Sequence, residues 1–287
     1  AIFIKFLLSM LMDVVKLKSM GVNVLYESDN FIIVNKPCDM YINSDDKEEK
    51  NTVTFFIGSL NSHLRSSMNP LHFIHRLDYA TSGVLCIAKK KSAAAEAGKL
   101  FEKRHTKKYY LAVVRGHITF DLADIDYPVG KKPQCEHRMR ALTHMDEPCL
   151  HPRDSHTRML LLETGYYGGD PISVVLLKPF TGRRHQLRVH CRAINHTILG
   201  DYTYSGKLDR EPHRMYLHAT RLVVPLKKEP LDIQTAEPFF SDKEFTRKWK
   251  PLQKFYEYKS KDDFVSICNT IDGNTPGLKC QTFALVI

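Results

Sequence analysis

Short apolar runs, each closed off by turn-forming residues, recur along the chain and limit what it can fold into. Residues 22–26 and 31–34 flank the turn-like Glu27-Ser28-Asp29-Asn30, and further runs follow at 84–88, 109–115, 159–163, 172–177 and 217–224. Runs this short, rich in Val, Ile, Leu and Tyr, suit strands buried in a sheet, because a core helix needs ten or more residues to show its period. Helical spacing is rarer. It appears over 89–104, where Ala93, Ala97, Leu100 and Phe101 share a face, in the stretch after Thr181-Gly182, and over 244–258 with Trp249, Leu252, Phe255 and Tyr256. The pattern predicts many strands and few helices. Apolar runs are scarce between 117 and 156, which reads as an excursion or insertion. The chain divides into an N-terminal extension (1–19), a main domain (20–228) and a C-terminal extension (229–287). At 287 residues and 43% hydrophobic, it can bury one large core or two small ones.

The charge is unbalanced, with 42 Lys and Arg against 32 Asp and Glu. A surplus of this sign draws polyanions, of which nucleic acid and membrane surfaces are the common ones. The apolar run 1–12 is interrupted by Lys5 and is too short to span a bilayer. No small-residue cleavage site follows it, so a cap on the domain is expected rather than a membrane anchor or secretory signal. The seven cysteines are odd in number, scattered and free of Cys-x-x-Cys. They fit a reducing intracellular compartment, and the absence of an Arg- and Ser-rich leader favours cytoplasm or nucleus over mitochondrion. Cys135 with His137 and Cys149 with His151 form two Cys-x-His pairs. One-residue ligand spacing is not that of a zinc knuckle, and with 14 histidines such pairs arise by chance, so no metal is expected.

Three stretches carry chemistry. In His75-Arg76-Leu77-Asp78-Tyr79-Ala80-Thr81-Ser82-Gly83 a carboxylate sits on the loop that feeds the 84–88 run. An Asp held there by a sheet suits a nucleophile, and equally suits an Asx turn closed on Thr81 or Ser82. Lys99, Lys103, Arg104, Lys107 and Lys108 have Glu102 as the only acid among them, a composition shared by solvated helix faces and phosphate-tracking surfaces. Farther on, Arg184, Arg188 and Arg192 recur every four residues along one helical face beside Arg183, while Leu187, Cys191 and Ile194 line another. No acid lies between 178 and 198, so these guanidinium groups need anions from elsewhere, either a distant carboxylate or phosphates.

His-Arg-Leu-Asp-x-x-Thr-Ser-Gly resembles the catalytic motif of the RluA-type pseudouridine synthases, whose Asp attacks a uridine in RNA. Residues 108–116, Lys-Tyr-Tyr-Leu-Ala-Val-Val-Arg-Gly, resemble the family's Lys-x-Tyr-x-Ala strand. Residues 178–190 resemble its Thr-Gly-Arg-x-His-Gln-(Ile/Leu)-Arg-x-His segment, which Leu199-Gly200-Asp201 and Tyr204 complete. Order and spacing agree from about residue 22 to 224. The resemblance implies an α+β fold, with a mixed, largely antiparallel sheet, flanking helices and a central cleft. It implies an isomerase that turns uridine into pseudouridine in RNA. The reaction moves no electrons in or out, so no cofactor is needed.

By the same resemblance Asp78 is the nucleophile, attacking either the base ring or the ribose carbon. Tyr110 is the active-site tyrosine, with a flat face for the uracil. Arg188 pairs with Asp78, holding it charged and aimed, against a rival reading in which it joins Arg184 and Arg192 on phosphate. A stacked target base must be extruded, and Arg76 matches the position that fills the vacated space. Lys107, Lys108, Arg183, Arg184 and Arg192 are the candidate RNA contacts, with RNA as partner, no membrane, no metal and a monomer expected. Two departures stand out. Asp39 follows Asn35-Lys36-Pro37 where the family usually has Gly, and Asn195-His196-Thr197 replaces Gly-His-Pro. An RNA-binding or RNA-chaperone protein on the same fold, without turnover, is the alternative; intact Asp78, Tyr110 and Arg188 favour the enzyme.

Overall fold

The computed structural model describes residues 22–46, 48–60, 70–144, 148–273 and 277–285, so the expected N-terminal cap lies outside the described residues. The chain forms two compact units. The first takes the described residues up to Thr106 together with Val223–Thr235. It contains β1 (Asn23–Glu27), β2 (Phe31–Lys36), α1 (Val53–Leu60), β3 (His72–Phe73), β4 (Ser82–Ala88) and α2 (Lys91–Glu102). β2 runs antiparallel between β1 and β4, and β3 pairs with the far end of β4. Every residue of β4 is buried, which is why its sequence is continuously apolar rather than alternating. α2 lies on β4 and sinks Ala93 and Ala97. In such a setting Ile87→Ala costs about 2–5 kcal/mol.

The second unit takes Lys107–Leu222 and the chain from Ala236 onward. Its strands begin with β5 (Lys107–Arg115), β6 (Leu122–Ile125), β7 (Val129–Lys132), β8 (Cys135–Ala141) and β9 (Leu150–Arg153). β10 (Thr157–Tyr167), β11 (Asp170–Pro179), α3 (Gln186–Ala193) and β12 (Leu217–Val224) follow. After β13 (Leu231–Gln234) of the first unit come α4 (Lys243–Lys248), β14 (Trp249–Lys254), α5 (Lys261–Asp272) and β15 (Cys280–Phe283). The strands order as β12-β5-β11-β10-β6-β15, with β14 also on β10. β15 joins β6 in parallel, while β5, β6, β11 and β14 make antiparallel pairs. β10 and β11 turn tightly at Gly168-Gly169, both at positive φ, as a two-residue hairpin of this hand requires. The fold is α+β with a mixed, mostly antiparallel sheet, as the resemblance implies.

Within the expected excursion, β6 belongs to the main sheet of this unit, and the stretch 129–153 forms a separate three-stranded sheet ordered β8-β7-β9. Val129 and Ala141 of that small sheet pack with Val189 of α3 and with Tyr204. The C-terminal stretch is built into the unit: α5 opens on a capping box between Ser260 and Asp263 and buries Phe264, Ile267, Cys268 and Ile271.

The helix expected over 244–258 is corrected to a short helix and a strand. Asp242 caps α4 by accepting from the backbone N–H of Glu244 and Phe245, and the helix ends at Lys248. Pro251 lacks the N–H a helix interior needs, so Trp249–Lys254 extends as β14 against β10, with Pro251 opposite Gly165. A Cβ on Gly165 would run into the Lys250 carbonyl and the Trp249 ring, so this pairing depends on glycine.

Both departures from the family's glycines keep a glycine-like backbone. Asp39 has φ 53° and Asn195 φ 63°, in the left-handed region that Asp and Asn tolerate best among non-glycine residues. α3 accordingly ends in a Schellman arrangement, with Asn195 N–H on the Arg192 carbonyl (3.0 Å) and His196 N–H on the Cys191 carbonyl (2.9 Å).

Candidate active site

The Asp78 loop is tied down by the His75 side chain at its start and through its main chain beyond Asp78. At its start, the backbone N–H of Cys86 donates to His75 Nε2 (2.9 Å), which fixes that nitrogen as the acceptor, and the imidazole stacks on Phe101 at 5.0 Å. Leu77 is buried beneath the loop. Beyond Asp78, the Tyr79 carbonyl accepts from Lys36 Nζ (2.9 Å) and from the Met40 N–H (3.3 Å). The turn is closed by Thr81 N–H on the Asp78 carbonyl (3.1 Å). Lys36 has no solvent exposure and also donates to the carbonyls of Pro37 (2.9 Å) and Met40 (2.8 Å). An ammonium taken out of water is tolerated when its donors are satisfied, and here it joins the turn after β2 to the Asp78 loop. Asp78 itself is half-buried, and Arg76 is exposed.

Arg188 sits on α3 in the second unit, and this helix is braced by side chains. Thr181 Oγ1 donates to Gln186 Oε1 (2.7 Å), which also accepts from the Arg183 N–H (3.0 Å). Gln186 Nε2 donates to the His156 carbonyl (3.0 Å) and Thr157 Oγ1 (2.9 Å). His190 is fully buried, with Nδ1 2.9 Å from Thr157 Oγ1 and Nε2 2.9 Å from the Tyr127 carbonyl. Burial pushes its pKa down to about 4. These contacts assign the Thr, Gln and second His of the motif to aiming the helix. Arg188 then makes a forked pair with Asp201, Nε to Oδ2 at 2.7 Å and Nη2 to Oδ1 at 2.8 Å, both residues being buried. The Tyr204 ring lies 4.9 Å from the guanidinium, and its backbone N–H donates to Asp201 Oδ1 (3.1 Å).

The acid-free stretch therefore finds one of its anions at Asp201, the first acid after Lys178 in the chain. The expected three-arginine helical face is corrected. Arg184 precedes the first turn of α3 and is exposed, Arg188 is buried, and Arg192 is exposed with Nη1 on the Tyr204 carbonyl (2.8 Å). The αL residue His185 breaks the helical register between Arg184 and Arg188.

Strand alternation in β5 sends neighbouring tyrosines to opposite faces. Tyr109 is buried, and its hydroxyl donates to Asp272 at 2.8 Å; Tyr110 is half-buried, opposite Leu177 of β11. Of the candidate RNA contacts, Lys107 lies 2.6 Å from Asp272, which also holds Lys178 at 2.7 Å. Ion pairs and the Tyr109 hydroxyl keep the Asp272 carboxyl below its ordinary range despite partial burial. Lys108 Nζ reaches the Thr181 carbonyl (3.5 Å), and Arg183 Nε donates to the Asp154 carbonyl (3.1 Å). The residue pattern gives Lys36, Asp201 and Asp272 no role, although Lys36 and Asp201 fall in stretches that resemble the family. The available signals were a lysine closing the apolar β2 before Pro37, and the first acid after a basic run. Among the described residues no group of three or more His, Cys, Asp and Glu side chains is placed to hold a metal; the side chains of Glu136 and His137 lie outside that description. No described helix is long and apolar enough to cross a membrane.

Comparison with known proteins gives the family. The profile of the RNA pseudouridylate synthase family matches residues 30–193. The chain belongs to the RNA pseudouridylate synthase family and is an enzyme of that class. It is 42% identical over 238 residues to the zebrafish (Danio rerio) RNA pseudouridylate synthase domain-containing protein 1, covering 81% of this chain and 80% of that one. It is 32% identical over 202 residues to the dual-specificity RNA pseudouridine synthase RluA of Escherichia coli K12, covering 70% and 85%. The solved structure of human RNA pseudouridylate synthase domain containing 1 superposes with a TM-score of 0.72 at 35% identity, over 86% of this chain and 94% of that one.

Proposed function

We propose that the enzyme isomerises uridine to pseudouridine within structured RNA, with Asp78 as nucleophile acting on a base flipped out of its stack. The reaction breaks the bond between ribose and N1, turns the uracil and joins the ribose to C5. C5 gives up its proton and N1 gains one, so atoms and electrons balance without a cofactor. Asp78 forms a transient bond either to the uracil ring or to ribose C1′, and that bond breaks again before product leaves, so the carboxylate is regenerated. Arg188 serves the same reaction by holding charge and orientation, Tyr110 offers the uracil a flat face, and Arg76 fills the space the base leaves. The observation that carries the reading is the tethering of the Asp78 loop, which fixes the backbone at a half-buried Asp78 in a motif of the family's kind. A reducing compartment suits the protein: none of its seven cysteines is in a disulfide, and burial pushes the Cys86 thiol up to about 12.

The test supplies unmodified transfer and ribosomal RNA transcripts tritiated at uridine C5, and measures tritium released to water. Release is expected, and it persists in strong chelator. RNA binding without any release would leave the non-catalytic alternative standing.

A further inference from the structure

The small sheet of the second unit does more than cover α3. Between it, α3 and the 203–206 segment lies a cavity of about 490 Å³. Lys132, Arg138, Arg140 and Arg192 line it, and its described lining residues include no Asp or Glu. Positive groups gathered around one concavity make it attractive to an anion. The wall between this cavity and Arg188 is Tyr204. The Tyr204 hydroxyl accepts from the Met139 N–H of β8 (3.1 Å) and bonds His185 Nδ1 (2.8 Å), while its ring contacts Arg188. Arg192 is held at the rim by its bond to the Tyr204 carbonyl. A phosphate seated in the cavity is thus one side chain away from the arginine assigned to the reaction.

We infer that this cavity is a backbone subsite that takes phosphates of the substrate RNA beside the modified nucleotide. The inference rests on the proposed RNA chemistry and extends it to residues outside the three motifs. RNA suits the cavity better than a lone small anion, because its cations come from three elements, β8, the end of β7 and α3, and so can face more than one phosphate.

The test measures RNA affinity of the full chain against salt for wild type, Lys132→Gln and the Lys132→Gln/Arg138→Gln pair, with thermal melts run beside them. Each lost phosphate contact lowers the slope of log K against log salt by roughly 0.7–0.9, so the pair should lower it by about 1.4–1.8 with melts unchanged. Lys132 is exposed, so its single substitution keeps the fold and should lower the slope by about half as much. Wild-type slopes in both variants overturn the subsite while leaving the RNA chemistry intact. Wild-type protein that binds no RNA overturns both. A further arm titrates uridine monophosphate; tight saturable binding of the mononucleotide, with the RNA slopes unmoved by the substitutions, assigns the cavity to a small ligand and overturns the subsite.

Discussion

Beyond Asp78 the loop is held through its main chain, with His75 as its side-chain anchor before that residue, whereas the helix that bears Arg188 is held through side chains. On the loop, the carbonyls of Tyr79 and Asp78 are the anchors beyond the nucleophile and the His75 ring is the anchor before it, so the backbone at 78 is placed by its neighbours. On α3, Gln186, Arg188 and His190 are themselves the anchors, and each is buried. A residue there cannot be changed without disturbing the frame. The difference predicts that substitutions in the two regions separate activity from stability in opposite ways.

The comparison breaks most visibly at the buried ion pair. Arg188→Met leaves the Asp201 carboxylate buried without its fork, and should cost about 3–5 kcal/mol, read as a lowered midpoint in chemical denaturation. Asp201→Leu should cost a similar amount, and the double variant less than the sum, because the two residues act as one unit. An Arg188→Met protein as stable as wild type would remove the distinction between the regions.

Lys36→Met probes the loop's own anchor. Loosening the Tyr79 carbonyl should misplace Asp78 and lower the single-turnover rate by about 10²-fold, with RNA affinity retained. Rate and affinity falling together would assign Lys36 to general folding instead.

Acid should weaken the side-chain frame in a defined window. The folded pKa of His190, about 4, lies below the ordinary histidine value near 6.5, so the unfolded chain binds more protons between those limits. Its contribution is fully present above about pH 6.5, shrinks as pH falls and levels off below about 4. At pH 5.5 the loss is about 1 kcal/mol relative to neutral pH. His190→Gln should flatten this part of the stability profile in denaturation series run from pH 7 to 4.5. The smallest effect is expected at Lys107, whose exposed pair with Asp272 should be worth under about 1 kcal/mol, so Lys107→Gln should leave the melting temperature nearly unmoved.

Much of this was legible in the residues, for identifiable reasons. The bounded apolar runs became strands within a residue or two at most ends, because strands buried on both faces tolerate little but apolar side chains. The replaced glycines at 39 and 195 kept their left-handed backbone because Asp and Asn are the residues that tolerate it. The basic run after Thr181 announced a missing anion, yet its regular spacing suggested one exposed arginine face where the chain instead turns at His185 and buries Arg188 on Asp201. Aromatic spacing over 244–258 imitated a helix, and Pro251 was the signal against it. The reach of Lys36 to Tyr79, 43 residues along the chain, and of Asp272 to Tyr109 depends on tertiary approach, which local pattern does not encode.

The central claim is that Asp78 is the nucleophile, carried on a loop whose backbone is tied at Asp78 and Tyr79. Asp78→Asn tests it with one substitution of nearly equal shape. In single-turnover reactions on RNA that the wild type modifies, the variant should lose at least about 10⁴-fold in pseudouridine formation while its melting temperature and RNA affinity match wild type. Pseudouridine formed by Asp78→Asn at a rate near that of wild type would contradict the account.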